Sequence, residues 1–456
     1  MQSLRAMFST APMRALWDDD AIYRAMLRFE AMLAEAQAQC GLIPREAAHV
    51  IGQVCAEADG FDWTAISGDA RIAGTAAIPF VKALKREVEQ RASGCSAFVH
   101  YGSTSQDVCE TALVMQTRQA LALIYAQMQR LGDALAGLVE RHRRTPVLAR
   151  TLMQPAAPVS FGWKAAGWLD ALARCALALR EAGEAARVLQ LGGANGARVA
   201  LGTHADAVAT SLAARLSLAS TPLAWHGARD RLARLGNELA LSCAMLGKLG
   251  RDISLMMQSE VAEVFEPSGE GRGGSSAMPH KRNPVACMHM LDAASRAPAL
   301  SSSLVADMTA EHERGLGSWP HALPLLADLF MLLDNSVTMA AETIEGLRVE
   351  PNAMRANLER LHGVVYSEGA SLLLGCEIGT QAAQRIVNEL CKRALDEQAD
   401  FCALLHTHPD VQGKIAAEVI DRACGLDACL DAAAAQCAPI LAAWPAQRAA
   451  LGGEPT

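Results

Sequence analysis

Between residues 121 and 138 the apolar side chains Leu121, Ile124, Met128, Leu131, Leu135 and Leu138 recur at alternating steps of three and four. That spacing keeps one stripe on one face of an α-helix, as in a coiled-coil seam. It cannot serve a strand, whose side chains change face at every residue. A second seam runs through Leu232, Leu235, Leu239, Leu246, Leu249, Ile253 and Met256, with an interruption at Ser242. Trp163 to Leu191 and Val285 to Glu311 carry further helical text, so residues 109–345 read as an elongated bundle of four or more long helices. The expected fold class is all-α. The composition agrees, because 51% hydrophobic residues with only 4% aromatics suit helices packed on helices better than sheets. Helices of about 30 residues span ~45 Å. A single chain is expected to leave part of such seams uncovered, which calls for a homo-oligomer.

Smaller helical domains flank the bundle in this reading. Residues 1–108 look like short helices broken by turns, with Gly41 and Pro44 ending the run "RAMLRFEAMLAEAQAQCGLIP". Residues 346–456 form a third domain of short helices punctuated by Gly363, Gly369, Gly375 and Gly379, followed by an Ala-rich C-terminus. The stretch "QLGGANGARVALG" at 190–202 lacks the spacing of a phosphate-binding loop and reads as an interhelical turn.

Charge narrows the partners. With 41 basic and 49 acidic residues the net charge is −8, and no basic block exceeds "RHRR" at Arg141 to Arg144. Neither nucleic acid nor an anionic membrane is an expected partner, since both need a concentrated basic surface. Thirteen cysteines occur without a C-x-x-C pair or a Cys/His cluster at zinc spacing. No disulfide framework, metal or other cofactor is therefore expected, and a reducing cytoplasm fits. Pro12 and Arg14 interrupt any signal-peptide core, and no uncharged apolar window reaches 18 residues.

One segment breaks the helical text. "EGRGGSSAMPHKRNP", from Glu270 to Pro284, combines three glycines, two serines and the cations Arg272, Lys281 and Arg282. Flexible backbone, a hydroxyl and positive charge together describe an active-site loop. "HYGSTSQDVCETAL" (His100 to Leu113) and "RTLMQPAAPVSFG" (Arg150 to Gly162) are two further candidate motifs.

The string "GSSAMPHKRNP" at Gly274 to Pro284 resembles the signature of the fumarase/aspartase superfamily at every defined position, and the other two motifs resemble its first and second regions. The resemblance implies addition or elimination beside a carboxylate. It implies Ser275 as the catalytic serine, with Ser276 the alternative, and Thr104, Ser105, Gln154, Lys281, Asn283 and Arg314 as ligands of a small polycarboxylate. His100, Thr151, His280 and His312 are secondary candidates. It also implies a homotetramer with sites shared between chains. A carbon acid next to a carboxylate has a pKa far above 7, so such a site must stabilise a dianion with amides and fixed cations.

Departures from the superfamily's adenylosuccinate lyases are informative. Met7 and Phe8 stand where those enzymes carry an Arg-Tyr pair, and Thr75 and Leu152 where they carry histidines. A basic leaving group needs a proton donor; a carboxylate leaving group, with a pKa near 4, does not. The segments "FSTAPMRALW", "GKLGRDISLMMQSEVAEVFEPS" and "EHERGLGSW" are similar to the bacterial 3-carboxy-cis,cis-muconate cycloisomerases of protocatechuate catabolism. That likeness implies closure of a carboxylated muconate to a lactone. A C–N lyase releasing fumarate, a related muconate or nitrosuccinate-like substrate, and an inactive structural homologue remain alternatives. Gly227-Ala228, the segment after Gly317 and the C-terminal "LDACLDAAAA" differ from the cycloisomerase pattern.

Overall fold

The computed structural model describes residues 6–269, 273–274, 278, 280–317 and 319–452. The chain opens with α1 (Ala11–Leu16), α2 (Asp19–Gln39), α3 (Arg45–Ala56), α4 (Trp63–Ala73) and α5 (Ala77–Arg91). Asp18 and Asp62 start α2 and α4 by accepting from Ala21 N at 2.9 Å and Ala65 N at 3.0 Å. The turn that ends α2 holds Gly41 at φ 75°, where a side chain would be strained.

Five long helices follow: α6 (Ser105–Arg141), α7 (Phe161–Ala186), and, beyond the short α8 (Ala205–Leu216), α9 (Asp230–Met256), α10 (Val285–Ala306) and α11 (Ala322–Glu345). Glycines set their spacing. A Cβ on Gly236 or Gly247 of α9 would come 2.4 Å from Leu304 Cδ1 or Ala294 Cβ of α10. At Gly247 the two helices approach closely enough that Ala294 and the Met290 carbonyl fill the space, and at Gly236 the Leu304 side chain does, so a larger residue at either position would crowd the interface.

Both seams are buried, but the chain covers them itself. Leu121 through Leu138 and Leu232 through Met256 all lie in the main core, and Ser242 sits fully buried within an unbroken α9. The expectation that seam length alone demands a partner is thus corrected: five helices enclose one another and leave no uncovered stripe at these positions.

Among the described residues the helical text also hides two small antiparallel sheets. β1 (Pro146–Thr151) and β2 (Gln154–Ser160) form a hairpin in which Thr151 faces Gln154 across the turn Leu152-Met153. Both turn residues have positive φ, 50° and 65°, as a tight two-residue hairpin requires. β3 (Val264–Phe265) pairs with β4 (Arg348–Val349).

After α12 (Pro351–Glu359), the helices α13 (Ser367–Ile378), α14 (Thr380–Asp396), α15 (Phe401–Thr407) and α16 (Ala417–Ala423) enclose a separate core that includes Leu374, Leu390, Phe401, Leu405 and Ile420. The last helix, α17 (Leu426–Gly452), returns to the bundle instead, with Trp444 lying over Gly132 and donating to Asp133 Oδ1 at 2.9 Å. The segment 346–452 is accordingly divided between two cores, because α17 carries its apolar residues Cys437, Trp444 and Leu451 on a face that fits α6 and α7. α11 and α17 are long and apolar enough to cross a membrane by length and composition, and both pack on the bundle. The expectation of no Cys/His cluster also fails here. Cys402, His406 and Asp421 bring their ligand atoms within 4.8 Å of one another, a grouping that spacing missed because it spans two helices.

Candidate active site

The first motif is built around the N-terminus of α6. Thr104 is its N-cap, and Asp107, three residues on, accepts from Thr104 N at 3.0 Å. The Asp107 carboxylate also takes Gly192 N and Gly193 N, each at 2.9 Å, and lies 2.7 Å from His226 Nε2. The glycine-rich turn is thus occupied by a protein carboxylate, in agreement with its reading as a turn. Gly193 must be glycine twice over: its φ is 67° and a Cβ would lie 2.8 Å from Gly102 O. Below Asp107, Arg229 pairs with Glu110, whose other oxygen accepts from Gln106 Nε2 at 3.0 Å and Gln190 Nε2 at 2.8 Å.

Arg314 reaches this helix end from the segment after α10. Its Nη1 donates to Thr104 Oγ1 at 2.9 Å and its Nη2 to Ala194 O. A guanidinium beside the N-terminus of a 37-residue helix is a natural anion site. Of the secondary candidates, His100 sits at the entry to this turn with φ 61°, its Nδ1 2.5 Å from Glu30 Oε1. Burial disfavours its charged ring, yet the charge and hydrogen bond of Glu30 prevail and raise its pKa. His312 is exposed, in a positive-φ turn whose carbonyl approaches Gly227.

The signature segment is anchored at both stems. Asn283 N donates to Gly273 O at 2.8 Å, and Asn283 Nδ2 lies 3.4 Å from Gly274 O. Glu266 caps α10 by accepting from Ala286 N at 3.1 Å and Cys287 N at 2.9 Å. Asn283, expected as a substrate ligand, here clasps the loop. Lys281 and His280 are exposed. Ser275 and Ser276 lie outside the described residues.

The second motif occupies the hairpin. Arg150, one pair from the turn, ties the hairpin down through Nη2 to Glu263 Oε1 at 2.7 Å and Nη1 to Oε2 at 3.0 Å. Thr151 and Gln154 flank a tip at which Leu152 is 97% and Met153 72% exposed. Within one chain, then, Leu152 lines no pocket.

These parts do not converge in one chain. Arg229, at the N-cap of α9, belongs to the first motif through Glu110, while Met257, at its C-cap, lines a cavity with Gly273, Arg282 and Asn283. The 27 residues of α9 separate the two by ~40 Å.

A family model described as Lyase matches residues 5–298, well over half of the chain. The chain belongs to this lyase family. The signature's likeness to the fumarase/aspartase superfamily agrees with that membership. Among relatives of this lyase, the 3-carboxy-cis,cis-muconate cycloisomerase of Pseudomonas aeruginosa is 44% identical over 92% of each chain. The enzyme of the same name from Pseudomonas putida is 41% identical over 92% of this chain and 99% of its own. The crystal structure of the 3-carboxy-cis,cis-muconate lactonizing enzyme from Pseudomonas putida superposes with a TM-score of 0.91 at 38% identity, covering 99% of this chain and 100% of that one.

Sequence reasoning passed over several residues that shape this candidate site. Asp107 lies inside the first motif, and its place three residues after Thr104 signals a capping box. His226 and Arg229 lie in "WHGARDRL", inspected only for its departures at Gly227-Ala228. Glu266 and Glu30 carry no local signal, since their roles depend on helix ends far along the chain.

Proposed function

We propose that this lyase-family chain is a cycloisomerase that closes 3-carboxy-cis,cis-muconate to γ-carboxymuconolactone. The observation that carries the reading is the likeness, along nearly the whole chain, to cycloisomerases at 44% and 41% identity. In the proposed reaction one substrate carboxylate oxygen bonds to an alkene carbon, the π bond opens, and the adjacent carbon takes a proton from Ser275. Arg314, Thr104 and the N-terminus of α6 bind one carboxylate, and Lys281 another. Ser105, Thr151 and Gln154 complete the binding set. The intermediate's negative charge is held by these cations and amides.

The ~40 Å between the first motif and the signature segment supports sites assembled from several copies, and we propose a homotetramer. The exposed Leu152-Met153 tip fits this, as a surface that a neighbouring copy would cover. All thirteen cysteines are free, in keeping with a cytoplasmic setting. The test is loss of the conjugated diene absorbance when the enzyme meets 3-carboxymuconate. Unchanged absorbance, together with release of fumarate from adenylosuccinate, would replace the cycloisomerase with a C–N lyase.

A further inference from the structure

The small C-terminal core carries side chains that the lactonisation does not use. Cys402 and His406 are four residues apart on α15 and so share one face. Asp421 lies on α16 and Cys424 is its C-cap, three residues on. The two helices bring these pairs face to face. His406 Nε2 is 2.7 Å from Asp421 Oδ1, and the Cys402 and Cys424 thiols are close enough to interact electrostatically. One ligand atom from each of Cys402, His406 and Asp421 lies within 4.8 Å of the others.

We propose that Cys402, His406 and Asp421, with Cys424 as the fourth donor, form a binding site for a zinc-class divalent cation that clamps α15 to α16. Tetrahedral zinc, with bonds of about 2.0–2.3 Å, sets its donors roughly 3.3–3.8 Å apart. The three atoms, within 4.8 Å of one another, need to close by at most about 1.5 Å. Thiolate and imidazole donors favour zinc over magnesium or calcium, which take oxygen ligands. On binding, the cation takes the place of the proton between His406 and Asp421 and of the thiol protons, which pass to solvent. Cys424 is buried while Asp421 is exposed, so the cluster has a lined inner side and an open mouth through which an ion can enter.

The clamp has a physical purpose. The core of α13–α16 is built from few large side chains, and cores of that size commonly need a covalent or metal staple. A cation tying α15 to α16 would hold the core together from its edge.

The test uses the untagged full-length protein, reduced and stripped with chelator, then dialysed against zinc or titrated with cobalt. Wild type and the control Cys376→Ser, an exposed cysteine outside the cluster, are expected to bind about one zinc per chain and to raise their melting temperature on binding. Cys402→Ser and His406→Gln should bind at least ten times more weakly, and the thiolate-to-cobalt absorption band should weaken in Cys402→Ser and vanish in the double variant Cys402→Ser/Cys424→Ser. Circular dichroism of each variant before metal addition checks that it is folded. Equal zinc affinity in wild type and both variants, or a cobalt band that survives Cys402→Ser/Cys424→Ser, would overturn the proposal, as would failure of the wild type to bind.

Discussion

Arg314 Nη1 donates to Thr104 Oγ1 at 2.9 Å, joining the segment after α10 to the cap of α6 across 210 residues of chain. Arg314→Met removes the guanidinium at the proposed carboxylate site. Loss of a charged hydrogen bond costs about 1.5–3 kcal/mol, so kcat/KM should fall roughly 10–150-fold, mainly through KM. Initial rates over a range of substrate concentrations check this. A kcat/KM equal to wild type would remove Arg314 from the site.

Ser275→Ala should lower turnover by several orders of magnitude while leaving the melting temperature nearly unchanged, because the role proposed for it is proton transfer. Ser276→Ala should have a much smaller effect. If Ser275→Ala kept more than about a tenth of the wild-type rate, a barrier change of only ~1.4 kcal/mol, another group must deliver the proton.

Separation of the motifs along α9 predicts complementation. Ser275→Ala chains, nearly inactive alone, and Arg314→Met chains, impaired at substrate concentrations below KM, are mixed one to one, unfolded, refolded together and assayed at such concentrations. Sites that draw these residues from different copies should recover about a quarter of wild-type activity. No recovery, with assembly intact by light scattering, would place both residues of a site in the same chain.

Lactone closure also has a proton signature. Three ionised carboxylates become two and an ester, so near pH 7, well above carboxylate pKa values, each turnover should take up about one proton. A weakly buffered indicator assay run beside the diene assay measures the ratio. Absence of uptake while the diene disappears would point to a different product.

The His100–Glu30 pair predicts a pH trend. Because the pKa of His100 is raised above its ordinary 6.5, the folded state holds the proton more tightly than the unfolded chain. The stabilisation is full below the unfolded pKa and is lost as pH rises through the folded value. From pH 6.5 upward, wild type should lose this increment of stability, and His100→Gln should lack it. Denaturation midpoints at several pH values would show the difference, and parallel curves would refute it.

Long helices are legible here because period, length and Ala/Leu content all agree. The seam from Leu121 to Leu138 lies inside α6 without a break. Which surface covers a seam is not legible, since a stripe reads the same whether α7 and α11 or another copy lies against it. The hairpin is obscured by "QPAAP", whose prolines speak against a strand in isolation and are tolerated because only β1 pairs with it. At the site, Thr104 and Arg314 are legible as motif members and do meet. The buried partners Glu30 and His226 are not, because a carboxylate or imidazole acquires its role from helix ends brought together only by folding.

Asp107 draws together Thr104, the turn at Gly192-Gly193 and His226. During synthesis the first of these leaves the ribosome more than a hundred residues before the last, and Asp107 must wait with an ionisable oxygen unmatched. The N-terminal end of α6 therefore cannot mature until about half of the chain has emerged. A translational pause or truncation between residues 107 and 226 would release a nascent helix whose far end is already sound and whose working end is not yet formed.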